Sequence, residues 1–270
     1  MSRTCAAVLL SLLGAAPAWS QSIATAPPPA AAPATAAASP TAEAPRMPSF
    51  GSLFTDLGHD VMQMPSLESA WILGIGGALA AGVHHNDPNI TASASGNESL
   101  DEALDPGSPI GSGWVQIGGA FALYAIGRGN GHLKTAITGA DLIRAQILTG
   151  AITQTVKLAV GRTRPDAGRY SFPSGHSSSA FATAAVLERH YGLKVGLPAY
   201  AAAAYVGGSR IAENKHYLSD VIFGAAIGVV CGRATSVGRG RARMALSPIA
   251  APGGGGIQFT WLGRNVAQGG

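Results

Sequence analysis

The chain has 270 residues with a formal net charge of +4; 47% of them are hydrophobic and 12% charged, with 37 glycines and 17 prolines. That length supports one large domain with a real core. The mild positive excess suits anionic substrates or surfaces and does not indicate nucleic acid, and two cysteines exclude a disulfide scaffold.

The first 20 residues have the layout of an export signal. Arg3 is a short positive start, Ala6 to Leu13 an apolar run, and Ala18-Trp19-Ser20 the small residues read at a cleavage site before Gln21. This implies an exported, periplasmic protein, with membrane association as the alternative. Cys5 would leave with the signal. Cys231 then stands alone and reads as a small apolar core residue. Residues 21–48 are mostly Ala, Pro, Ser and Thr. They cannot bury enough apolar area to fold and read as a disordered linker.

The folded domain is expected over 49–233. Six segments rich in Ala, Gly and aliphatics follow: 66–83, 112–127, 134–160, 175–190, 195–211 and 218–233. None alternates strictly, so the spacing predicts helices and an all-α domain. Between the first two lies a polar stretch, 84–111, with Asp87, Glu98, Asp101, Glu102 and Asp105. Its acids lack calcium-loop spacing, so it is expected as a surface loop that could roof a site. His84 and His85 read as part of that loop rather than as metal ligands. His59, His132 and His190 read as surface or capping residues.

A membrane span needs about 20 apolar residues. The uncharged runs here are shorter, at Trp71–Val83, Trp114–Gly127, Val195–Gly208 and Val221–Gly232, and Asp141, Arg144 and Lys157 interrupt the third segment. The expectation is buried helices of a soluble domain, against an integral membrane protein whose Gly- and Ala-rich helices pack in lipid. The tail, 234–270, holds Arg239, Arg241 and Arg243, a glycine run and IQFTW, which suggests one short strand.

Three stretches hold nearly all the informative polar residues. In KLAVGRTRP, Lys157 and Arg164 are seven apart, so both can project from one helix face, and Pro165 ends the helix at Arg164. In PSGH, Ser174 can cap a helix, Gly175 lets the backbone approach a ligand, and His176 is titratable just inside the helix. In SRIAENKHYLSD, Arg210 and His216 can face one site through a turn at Glu213–Lys215, and Asp220 lies four residues from His216. Cations among apolar helices cost energy unless they meet an anionic partner. The three stretches therefore point to a bound anion with a proton donor beside it.

The pattern Lys-x6-Arg-Pro, Pro-Ser-Gly-His, Ser-Arg-x5-His-x3-Asp resembles the three-part signature of the type-2 phosphatidic acid phosphatases. That superfamily includes bacterial acid phosphatases and vanadium haloperoxidases. Every signature position is matched, over 157–220. The resemblance implies a helical phosphatase of the acid-phosphatase kind, with a phosphorylated small molecule or lipid as substrate. It implies Lys157, Arg164, Arg210, Ser174 and Gly175 around the phosphate, without metal. It makes His216 the nucleophile, Asp220 the residue that orients it, and His176 the acid for the leaving oxygen. Vanadate would then inhibit. A membrane-associated lipid phosphatase, acting on polyprenyl diphosphate, phosphatidate or a lipid A headgroup, is the alternative reading. A haloperoxidase with vanadate as cofactor is the remote one, since those enzymes are longer with different motif spacing.

Overall fold

The computed structural model describes residues 46–236 in full, and beyond them the backbone of two strands. The export-signal segment with Cys5, the linker up to residue 45, and Arg239 and Arg241 lie outside the described residues. The helices are α1 (Phe50–Gln63), α2 (Leu67–His84), α3 (Asp87–Ser95), α4 (Glu98–Leu104), α5 (Gly107–Ile110), α6 (Gly113–Gly129), α7 (Leu133–Val160), α8 (Gly175–Tyr191), α9 (Leu193–Ala212) and α10 (Leu218–Thr235). Strands β1 (Arg243–Ala251) and β2 (Gly254–Leu262) form an antiparallel hairpin.

The domain is all-α, and the six expected segments are α2 and α6 to α10. One helix adds to those expected, and two expectations need correction. Residues 50–63 form a helix, because the Ser49 hydroxyl accepts from the Ser52 amide at 3.1 Å and caps it. The 84–111 stretch is not a plain surface loop. It folds into α3, α4 and α5, and its Asp87 is fully buried. The tail holds two paired strands where one was expected.

Small residues set how closely the long helices approach. On α10, Gly224, Gly228 and Gly232 recur every four residues and so share one face. A Cβ on Gly224 would lie 2.6 Å from the Ser174 carbonyl oxygen, and one on Gly232 2.5 Å from that of Ala182. A Cβ on Gly228 would overlap the Ser178 carbonyl oxygen. The backbone of α8 therefore rests directly on α10, as in small-xxx-small contacts. Cys231 is fully buried beside Leu148 and Ile227, as expected of a core thiol.

Asp141 and Arg144 do not interrupt α7. They are buried within it and paired. Arg144 donates to Asp60 Oδ2 at 2.6 Å, Asp141 Oδ1 at 2.8 Å and the Thr235 carbonyl at 3.0 Å. His190 is neither surface nor cap. Its Nε2 lies 2.8 Å from Asp141 Oδ2, and only 4% of its side chain is exposed. The network joins α1, α7, α8 and α10, about 20 Å along α7 from Lys157.

The expectation that every long segment is a buried core helix fails for α2. Leu67, Trp71, Ile75 and Leu79 recur every four residues, and all are more than half exposed. Only Gly76 and Ala80 of this helix are buried. Leu67–His84 and Leu218–Thr235 are the two described helices long and apolar enough to cross a membrane. The second is mostly covered by its neighbours and the first is not.

Gly228→Ala is expected to destabilise the fold by about 1–3 kcal/mol, because the new methyl must displace α8 backbone. Gly118→Ala on α6, with open space around its Cβ position, is expected to be neutral or to stabilise by about 0.5–1 kcal/mol. Thermal melting of the two variants beside the parent protein checks this contrast.

Candidate active site

Four helix ends and two connectors bring the signature together. Lys157 sits in the last turn of α7. Its Nζ donates to the carbonyls of Tyr170 at 2.6 Å and Ser171 at 3.3 Å. Lys157 and Arg164 do not share a helix face. Gly161 adopts the left-handed conformation with φ 62° and stops α7 before Arg162. Arg164 then lies in a tight turn, its amide donating to the Gly168 carbonyl at 2.8 Å. The Ser171 amide donates to the Arg162 carbonyl at 2.8 Å, so the chain doubles back toward α8.

A cis peptide bond joins Phe172 to Pro173, and Ser174 caps α8. The Ser174 hydroxyl accepts from Ser177 Oγ at 3.0 Å and from the Ser177 amide at 3.4 Å. The Ser174 amide donates to the Asp220 carbonyl at 2.9 Å, which sets the start of α8 against the start of α10. Gly175 lies beside Lys157, whose Cε is 4.0 Å from the position a Cβ would take.

The expected turn after α9 is present. Asn214 has φ 57°, and the amides of Lys215 and His216 both donate to the Arg210 carbonyl at 3.0 Å. Arg210 Nη1 donates to Glu213 Oε2 at 2.7 Å and to Ser108 Oγ of α5. The segment expected to roof the site thus touches it through Ser108. His216 is buried, and its Nδ1 lies 3.4 Å from Asp220 Oδ2. That carboxylate oxygen also accepts from the Tyr217 amide at 3.0 Å and from Ser171 Oγ.

The local electrostatics suit an anion. Burial, with the neighbouring charge of Arg164, lowers the Lys157 ammonium to about 8. Burial first, then the charges of Arg210, His216, Arg164 and Lys157, lower His176 to about 4. His216 is lowered by burial, against the opposing effect of its hydrogen bond to Asp220. The buried Nε donors of Arg164 and Arg210 have no acceptor among the described residues. One buried basic pocket therefore holds two histidines and two arginine donors open to an oxyanion.

Four contributors escaped the sequence reading. Arg162 donates from Nη1 to Asp220 Oδ1 and to Ser219 Oγ, both at 2.7 Å. Ser171 and Ser219 join the same cluster, and Asp87 reaches it from α3. The available signal was Arg162 itself, a cation at the end of an apolar helix with no assigned partner.

The PAP2 superfamily model matches residues 166–243, which include PSGH and the Ser-Arg-x5-His-x3-Asp stretch. A lipid A 1-phosphatase of Porphyromonas gingivalis is 39% identical over 89 residues, 32% of this chain and 20% of that protein. One from Rhizobium etli is 34% identical over 33% of this chain and 45% of that protein. A decaprenylphosphoryl-5-phosphoribose phosphatase of Mycobacterium tuberculosis is 36% identical over 34% of this chain and 57% of that protein. The chain thus spans less than two thirds of the length of these relatives. Among solved structures, Aquifex aeolicus LpxE matches at TM-score 0.47 and 24% identity, over 54% of this chain and 92% of that one. A transmembrane PAP2-type phosphatidylglycerolphosphate phosphatase from Bacillus subtilis matches at TM-score 0.49 and 22% identity, over 63% and 94%. The family resemblance carried by the signature stands.

Inorganic phosphate is expected to bind the protein. Arg210→Lys keeps the charge and loses the fixed fork, so its affinity should fall about tenfold. Calorimetric titration of both forms checks this.

Proposed function

We propose that this chain, whose residues 166–243 are those of the PAP2 superfamily, is a membrane-bound phosphatase that releases phosphate from a lipid phosphate. The observation that carries the reading is the convergence on one buried pocket of His216 backed by Asp220, His176, and the unpartnered donors of Arg164 and Arg210.

The chemistry follows from that arrangement. Asp220 accepts a hydrogen bond from the Nδ1–H of His216, which leaves Nε2 free as the nucleophile. Nε2 attacks phosphorus, the bond to the ester oxygen breaks, and His176 gives its proton to that oxygen. Lys157, Arg164 and Arg210 neutralise the equatorial oxygens, with the Gly175 amide and the Ser174 hydroxyl at the α8 N-terminus. These cations supply the charge that a metal supplies elsewhere, so the reaction needs no metal. Water then attacks the phosphohistidine, His176 takes its proton, and phosphate leaves. Vanadate, as a trigonal-bipyramidal mimic, inhibits.

Three observations favour a lipid substrate over the small phosphate esters of a soluble acid phosphatase, the reading first drawn from the signature. The relatives carry names of phosphatases for lipid A and for a decaprenylphosphoryl sugar phosphate. The exposed stripe Leu67, Trp71, Ile75 and Leu79 gives α2 a face suited to lipid. An apolar cleft of about 300 Å³ lies between α2 and α10, lined by Gly77, Ala81, Phe172 and Phe223, and it reaches Arg162 and Ser219 beside Asp220. Its walls suit an alkyl chain. The site would face the exported side, as the N-terminal segment implies.

Phosphate release from a diacyl lipid phosphate in mixed micelles, in chelator, is expected to exceed release from p-nitrophenyl phosphate by at least about tenfold in kcat/KM. His216→Ala is expected to lose about a thousandfold or more on both. Greater turnover of the soluble ester would return the enzyme to the acid-phosphatase reading, and activity that chelator abolishes would end the metal-free mechanism. Because His176 is drawn well below 6.5 and must carry a proton, while His216 must be neutral, kcat/KM should trace a bell with its optimum below about pH 6. A flat profile between about pH 4 and 9 would refute these two roles.

A further inference from the structure

Asp87 belongs to α3, in the stretch whose sequence reads as a surface loop. It is nevertheless fully buried, and each of its carboxylate oxygens has a defined donor. Oδ1 accepts from the Ser219 amide at 3.0 Å. Oδ2 accepts from Arg162 Nη2 at 2.9 Å and from Ser219 Oγ, and His84 Nδ1 lies 3.3 Å away. The other terminal nitrogen of Arg162, Nη1, donates to Asp220 Oδ1 at 2.7 Å. The Arg162 guanidinium lies over the Tyr217 ring, 4.1 Å from its centroid. The planar fork is thus clamped on one face and bonded to a carboxylate at each tip.

We infer that Asp87 and Arg162 are positioning residues that hold the Asp220 carboxylate in line with His216. The inference rests on the proposed role of His216. Its physical content is a count of donors. Asp220 must accept from His216 Nδ1 with the same oxygen that takes the Tyr217 amide and Ser171 Oγ. Arg162 occupies the second oxygen and so fixes the plane of the carboxylate. A lone Arg162 could rotate, because its stem is long and 18% of its side chain is exposed. Asp87 removes that freedom by binding the opposite tip, and through Ser219 it also ties α3 to the first turn of α10. A carboxylate–arginine–carboxylate chain of this kind orients the histidine as outer-shell partners orient a ligating imidazole. Neither residue touches the phosphate. Their effect passes through Asp220.

Two measurements test this. The first is kinetic. Asp87→Asn is expected to lower kcat about tenfold to a hundredfold with KM within about twofold. In an Asp220→Asn background the same change should cost less than about twofold, because there is no carboxylate left to position. Arg162→Lys should show the same dependence on background, and it serves if Asp87→Asn fails to fold. Equal losses in both backgrounds, or no loss in the parent protein, would overturn the inference. The second needs no substrate. In 15N spectra of histidine-labelled protein, His216 should carry its proton on Nδ1, and Asp87→Asn should shift it toward a mixture with Nε2. A spectrum unmoved by Asp87→Asn would overturn the inference. A shifted spectrum in a protein that releases no phosphate would uphold it and remove the phosphatase reading instead.

Discussion

The backbones of α8 and α10 touch along a face with no side chain between them, at Gly224, Gly228 and Gly232. At the end of that contact the Ser174 amide donates to the Asp220 carbonyl. This single approach sets the N-terminus of α8, with Ser174, Gly175 and His176, in register with the start of α10, which holds Asp220. A larger residue on the glycine face would part the two helix starts. The site would then lose its shape before it lost any of its chemical groups.

Around that contact the charges are arranged in two separate sets. One, on α1, α7, α8 and α10, sets its cation among carboxylates: Arg144 meets Asp60 and Asp141, and Asp141 meets His190. Buried ion pairs of this kind cost desolvation that only good geometry offsets, and they specify one arrangement of helices. The other set gathers Lys157, Arg164 and Arg210 around two histidines. Arg164 and Arg210 carry buried Nε groups that no described acceptor satisfies, and burial, with their charges and that of Lys157, depresses His176. The first set meets its arginine with carboxylates, and the second leaves positive charge in excess around His176 and His216.

The apolar surface completes the functional reading. A face of α2 bearing Leu67, Trp71, Ile75 and Leu79 costs free energy in water and none in a bilayer. The cleft between α2 and α10 runs from that helix to Arg162 and Ser219. The exposed apolar face of α2 and the cleft beside it thus lead to the two residues, Arg162 and Ser219, that neighbour Asp220.

The sequence by itself determined six long helices, most of the side chains gathered at the candidate site and the turn between Arg210 and His216. These are local matters: apolar periodicity, a Ser cap, and spacing within a few residues. The tertiary structure decided which charges face which. Asp87 and Arg162 are 75 residues apart in the chain, and Asp141 and His190 are 49 apart. No periodicity encodes such pairings, because they follow from which helices pack. The exposure of α2 was hidden for the same reason. Its composition is that of a core helix, and only the packing of its neighbours leaves the Leu67–Leu79 stripe uncovered.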